Sequence, residues 1–165
     1  MQVKDIMTSP VFSIPVEEMV TAASEIMEWA HVRHVPVVSN LGRLKGIITH
    51  RDILAASVTS LAHLSTLENK RMLEIIPVKL AMQSPVQCVE MDTDIGAAIE
   101  IMRTRKLGCL PVLKDGLLAG IVTESDFTSL VANSSTALTV EQLMSTDLWT
   151  INAENNVLLI QEIMN

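Results

Sequence analysis

The chain contains an internal copy of itself. Val3 to Leu54 is repeated from Val78 to Phe127: Met7, Pro10, Met27 and Pro36 recur 75 positions later as Met82, Pro85, Met102 and Pro111. The motif GIITHRD (Gly46 to Asp52) returns as GIVTESD (Gly120 to Asp126) at an offset of 74, so the loop before it is one residue shorter. A third start, VEQLMSTDLWTI (Val140 to Ile151), follows at an offset of 62 and sets Met144 and Met164 opposite Met82 and Met102. Two copies of one small unit are expected to bury their apolar faces against each other about a pseudo-twofold axis. That axis generates equivalent clefts at the interface, where small molecules bind.

Each copy has the same order of local signals. A helical turn carries the first methionine (Val3 to Met7; Val78 to Met82), and a Ser-Pro pair ends it at Ser9-Pro10 and Ser84-Pro85. Strands are predicted over Val11 to Ile14 and Val86 to Val89, and the third start repeats the turn (Val140 to Met144) and the strand (Leu148 to Ile151). An amphipathic helix follows, with one apolar face of Val20, Ala23, Ile26 and Met27, then Ile95, Ala98, Ile101 and Met102, then Val157, Ile160, Ile163 and Met164. Asp94 stands where an N-cap belongs. Strand pairs come next: Val35 to Val38 with Leu44 to Ile48, and Leu110 to Leu113 with Leu118 to Val122. Asp115-Gly116 between the second pair is a tight-turn signal, because both residues tolerate positive φ. Thr49 and Thr123 then open a second helix, and Leu61 to Ile75 reads as a helical linker. The expected fold is α/β (α+β), with each repeat ordered strand, helix, strand, strand, helix. The expected boundaries are a first repeat over 1–60, a linker over 61–77, a second repeat over 78–134 and an incomplete third over 135–165. A third copy ending after its first helix would leave that helix's apolar face without a sheet of its own. The expectation is therefore a piece of a longer protein, unless the helix docks on the first two repeats or on a second subunit.

Composition removes several function classes. Of 165 residues, 48% are apolar and 19% charged, so the chain can bury a core. No apolar run is long enough to span a bilayer, and MQVKDIMTSP is no secretory signal, so the expected location is cytoplasmic. A net charge of −7 argues against a nucleic-acid partner. Phe12, Trp29, Phe127 and Trp149 are too few to build a base-stacking platform. The ten methionines read as core filling, and Cys88 and Cys109 as buried thiols in apolar strand-like contexts rather than a disulfide. No Gly-rich phosphate loop and no nucleophile–base motif is present, so no enzyme activity is expected. His31-x-x-His34 lacks a third ligand, so no metal is expected either.

The order of elements, with Val35-Pro36-Val37, Leu110-Pro111-Val112, GIITHRD and GIVTESD, resembles the cystathionine-β-synthase (CBS) domain. This domain occurs in tandem as a Bateman module. The resemblance runs from Val3 to about Ala132, apart from the linker, and its specificity lies in two full copies in the right order. It implies a non-catalytic regulatory module that binds an adenine nucleotide or S-adenosylmethionine between its repeats and relays occupancy to an attached domain or partner. Such modules often pair into homodimers, and Leu54, Leu61, Leu64, Leu67, Phe127 and Leu130 are the candidate contact residues. No cofactor is implied beyond the regulatory ligand, and the effector domain is not specified.

The resemblance implies that Thr49 with Asp52, and Thr123 with Asp126, hold ribose hydroxyls. Taken alone, each Thr-x-x-Asp is also a helix capping box, and the two roles are compatible. From Trp29 to Arg51 there is no acid, while Arg33, Arg43, Lys45, Arg51, His31, His34 and His50 are present. Arg33 and His34 precede the proline strand and Arg51 lies in the ribose motif, so these three are the expected phosphate contacts; Arg43 and Lys45 flank a loop. The second repeat has Gly108, Cys109 and Ser125 at the three corresponding positions, and its Glu124 would repel a polyphosphate. Its cleft is expected to hold a nucleoside, S-adenosylmethionine or nothing. Ile47, Ile121 and Ser125 complete the expected ligand-binding set. Two readings stay open: an adenosine-ligand sensor, and a ligand-free dimerisation or docking module.

Overall fold

Apolar periodicity places the two long helices. In a computed structural model, which describes residues 1–59, 73–132 and 139–164, they are α1 (Val20–Ala30) and α4 (Ile95–Arg105). Val20, Ala23 and Met27 of α1, and Ile95, Ala98 and Met102 of α4, are buried along one face, as the spacing predicts. Asp94 caps α4 by accepting from Gly96 N at 2.8 Å. Both helices end in a left-handed residue, His31 (φ 53°) and Lys106 (φ 52°).

Each helix packs on a three-stranded sheet. The first sheet has the order β1 (Ile14–Pro15), β2 (His34–Val38), β3 (Leu44–Thr49). The second has the order β4 (Val89–Glu90), β5 (Cys109–Lys114), β6 (Leu117–Thr123). The short strand is parallel and the long pair antiparallel in both, with Ile14 opposite Val37 and Val89 opposite Val112. The β2–β3 and β5–β6 pairs follow the predicted hairpins, and Asp115 and Gly116 turn the second with φ of 52° and 76°. The helices α2 (His50–Thr59) and α5 (Glu124–Ala132) complete strand–helix–strand–strand–helix. The opening strands are shorter than expected. Val11 to Ser13 before β1, and Val86 to Cys88 before β4, are not in strands, because β2 and β5 offer register partners only to the two residues that follow each of them.

The turns that carry the first methionines do not pack on their own repeats. The 3-10 turn Val3–Asp5 delivers Val3 to the core of the second repeat, among Ala98, Leu110 and Val122. The helical turn α3 (Val78–Ala81) delivers Val78 to the core of the first, among Val20, Val35 and Ile48. Backbone bonds repeat the exchange at an offset of 75: Val20 N donates to Ile76 O at 2.9 Å and Ile95 N to Met1 O at 3.2 Å, while Val78 N donates to Glu18 O at 2.8 Å and Val3 N to Thr93 O at 2.9 Å. A third cluster joins the sheets across the pseudo-twofold axis through Ile47, Cys109 and Ile121, with Val11 and Val86 against it.

Residues 1–131 form one compact unit and 132–165 a second. The second contains α6 (Val140–Leu143) and α7 (Val157–Met164), close to the predicted turn and helix. The strand expected over Leu148 to Ile151 is absent, since the described residues of the second unit include no other strand to pair with it. Val157 is 77% exposed. The linker helix expected over Leu61 to Ile75 lies mostly outside the described residues, as do Leu61, Leu64 and Leu67. Among the described residues, no helix is long and apolar enough to cross a membrane. Both cysteines are free thiols; Cys109 is buried as expected, but Cys88 is only half-buried.

Candidate functional site

The exchange of opening segments builds two clefts, each from both repeats. Ile47 N donates to Gln83 O at 3.1 Å and Gln83 N to Ile47 O at 2.8 Å, which zips the start of the second repeat onto β3. Ile121 N and O make the equivalent bonds with Thr8, at 3.1 and 2.9 Å. Both Ser-Pro peptides beside these bridges are cis.

The first cleft, of about 500 Å³, has Ile47, Thr49, His50 and Arg51 on one wall. Gln83, Val86 and Gln87, with Lys106 to Cys109, form the other. The second cleft, of about 320 Å³, sets Ile121, Thr123, Ser125 and Asp126 against Thr8, Val11, Phe12 and His31. Arg33, His34, Gly108 and Glu124 line both.

At the start of α2, Asp52 Oδ2 accepts from Thr49 N at 2.8 Å and from Thr49 Oγ1 at 2.6 Å. Thr49 Oγ1 in turn accepts from Asp52 N at 3.3 Å. Asp126 Oδ2 accepts from Thr123 N at 2.7 Å and from Thr123 Oγ1 at 2.9 Å. Both Thr-x-x-Asp motifs are therefore helix caps, as their spacing allows. The carboxylates differ in access. Asp126 lines its cleft, whereas Asp52 does not line the first one and instead accepts from Gln83 Nε2 at 2.9 Å.

Of the other expected residues, Arg33, His34, Ile47, Thr49 and Arg51 meet in the first cleft, and Ile121, Thr123 and Ser125 in the second. Two expectations need correction. Arg33 and His34 are not confined to the first cleft, because they lie beside the axis where the two clefts meet. Glu124 faces both clefts for the same reason. Sequence reasoning also missed Gln83, Gln87 and Lys106 in the first cleft, and Thr8, Phe12 and His31 in the second. The repeat offset pairs Gln83 with Thr8, Gln87 with Phe12 and Lys106 with His31; for the first two pairs the missing step was to move each opening segment onto the opposite sheet, whereas Lys106 and His31 end α4 and α1 and enter where the two repeats meet.

The clefts differ in charge. Arg33, Arg51 and Lys106 face Glu124 in the first. Arg33 alone faces Glu124 and Asp126 among the described residues of the second, apart from the histidines. The His34 imidazole is held below its ordinary pKa, first by burial and then by Arg33, with Glu124 and Asp52 opposing. The Cys109 thiol is pushed up to about 12 by burial and by Glu124, so it stays protonated and inert. Among the described residues no group of three His, Cys, Asp or Glu is placed to hold a metal ion.

Two small βαββα units exchanging their opening segments around paired clefts define a tandem-repeat fold. The chain belongs to the CBS domain family, whose profile matches residues 3–59 and 76–133. It is 32% identical over 130 residues to a CBS domain-containing protein of Dictyostelium discoideum, covering 78% of this chain and 90% of that one. It is 33% identical over 127 residues, 76% of its length, to an uncharacterized 33.4 kDa protein of Thermofilum pendens, but spans only 42% of that protein. Among solved structures, a Vibrio cholerae protein assigned to acetoin utilization superposes with a TM-score of 0.69 at 32% identity, covering 81% of this chain and 91% of its own. The CBS domain pair of the protein MJ0100, in complex with 5′-methylthioadenosine and S-adenosylmethionine, superposes with a TM-score of 0.66 at 26% identity, covering 80% and 96%.

Proposed function

We propose that residues 1–134 form a regulatory module that senses an adenosine ligand and relays its presence to an attached domain or partner, without catalysis of its own. One observation carries this reading: the first cleft is lined by Thr49, whose hydroxyl donates to the Asp52 carboxylate at 2.6 Å, together with Arg33, Arg51 and Lys106. A carboxylate suits the two hydroxyls of a ribose, and clustered cations suit phosphate. The volume of about 500 Å³ is within the range of small-molecule sites. The relative MJ0100, which carries two adenosine compounds, supports the ligand class. On charge, the first cleft is assigned to a phosphorylated nucleotide. The second, with Asp126 open and fewer cations, is assigned to an uncharged or cationic adenosine derivative.

A ligand-free docking module is the second reading. The Asp52 carboxylate already accepts three hydrogen bonds from within the chain, which favours it. Thermal-shift measurements with AMP, ADP, ATP and S-adenosylmethionine separate the two, because a ligand that binds only the folded state raises the melting midpoint. The sensor reading expects AMP to raise it and Arg51→Ser, which installs the second repeat's residue, to reduce that rise. No shift with any of the four supports the docking module. Residues 140–164, with a turn and a helix but no strand between them, are assigned to the opening elements of a third repeat.

A further inference from the structure

The two capping carboxylates are equivalent in sequence but not in hydrogen bonding. Each offers about two acceptor positions per oxygen. Thr49 fills both positions on Asp52 Oδ2, and Thr123 fills both on Asp126 Oδ2. On Asp126 Oδ1 both positions stay open, since no donor among the described residues beyond Thr123 reaches that carboxylate. On Asp52 Oδ1 one is taken by Gln83 Nε2 at 2.9 Å. A vicinal diol that donates two hydrogen bonds can be received in full by Asp126 and only in part by Asp52.

Gln83 reaches Asp52 because the backbone bridge to Ile47 fixes its Cα beside the cleft. Its pseudo-twofold counterpart, Thr8, sits on the same bridge to Ile121, but no hydrogen bond joins its side chain to Asp126. Cleft access follows the same asymmetry: Gln83 lines the first cleft and Asp52 does not, while Thr8 and Asp126 both line the second.

We propose that the Gln83 side chain is a latch: it occupies the diol-receiving position of Asp52 and must swing away before a vicinal diol binds fully in the first cleft. The proposal rests on the reading of Asp52 as a ribose acceptor. Only the side chain has to move, because the Gln83 backbone stays on Ile47 and the amide–carboxylate bond is exposed, so water can replace it. Gln83 thereby sets the affinity of this cleft and its preference for diols.

The test is calorimetric titration with AMP in an Asp126→Ala background, which silences the second cleft. Gln83→Ala and Gln83→Thr are compared with the parent; the threonine is the residue the fold already carries at position 8. Releasing a carboxylate from a competing amide is expected to tighten AMP binding about tenfold in both variants. The gain should vanish with 2′,3′-dideoxyadenosine monophosphate, which has no diol. Binding by the variants alone also supports the latch. AMP affinity that is unchanged or weaker in both variants, or a gain that persists with the dideoxy compound, overturns the latch and leaves the adenosine reading standing. Failure of every protein to bind AMP overturns both.

Discussion

Gly46→Ala tests whether the exchange of opening segments holds the two repeats together. A Cβ at position 46 would lie 2.5 Å from Met82 Sδ, 2.8 Å from Gln83 O and 3.0 Å from Met82 Cγ. Nonbonded carbon contacts are comfortable at about 3.5 Å, so the shortfall is on the order of 0.5–1 Å. The methionine can rotate away. The carbonyl cannot retreat without stretching the two bonds between Gln83 and Ile47, at 3.1 and 2.8 Å. Overpacking costs about 1–3 kcal/mol, and weakening two backbone bonds adds about 1 kcal/mol. The expected loss is therefore about 3 kcal/mol, a fall in melting temperature of roughly 10 °C for a unit of this size. Urea denaturation followed by circular dichroism measures the loss. Adding Met82→Ala removes the sulfur but not the carbonyl and should not relieve the strain by itself. A loss under about 1 kcal/mol for Gly46→Ala would show that the bridge is soft and the argument wrong. Gly120→Ala, whose Cβ would meet Met7 Sδ and Thr8 O at 2.8 Å each, should behave alike.

Burial holds the His34 pKa below its ordinary 6.5, so the folded state binds that proton more weakly than the unfolded chain. Its contribution to stability is full above pH 6.5 and is lost as pH falls toward the folded value; His34→Gln should flatten that part of a pH–stability curve. Asp94→Ala removes the bond to Gly96 N and should cost about 1 kcal/mol, read as a melting midpoint lower by a few degrees. The chain is expected to be dimeric by light scattering. Leu54, 52% exposed on α2, is a candidate contact, and Leu54→Glu should shift the population toward monomer. Phe127, another candidate, instead packs against the second repeat's own core, so it is the weaker choice for that experiment.

Periodicity and turn chemistry are local, and what they govern was legible. The faces of α1 and α4, the Asp94 cap, the Asp115-Gly116 turn and both Thr-x-x-Asp caps follow from spacings within a few residues. The choice between two nearly identical sheets was not legible, because Val3 and Val78 fit either core by size and polarity and only the tertiary path decides. The same gap hid Gln83, which meets Asp52 only after the exchange, while Lys106, at the end of α4, joins Arg51 only where the two repeats meet. At Leu148 to Ile151, apolar strand formers were present without a strand to pair with, and propensity alone did not make a strand.

Arg33, His34, Gly108 and Glu124 belong to both clefts, and a Cβ at position 108 would come within 3.3 Å of His34 Nε2. In the wall between the clefts the His34 imidazole thus packs closely on the bare Gly108 backbone, with Arg33 and Glu124 beside them. An anion that draws Arg33 toward one side withdraws it from the other and leaves Glu124 less compensated there. Two occupants of this protein would therefore not titrate independently. Whatever factor the first imposes on the affinity of the second, the second must return to the first. Two anions should show negative cooperativity, whereas an anion and a cation should reinforce each other, so the module would report a combination of ligands rather than the level of either.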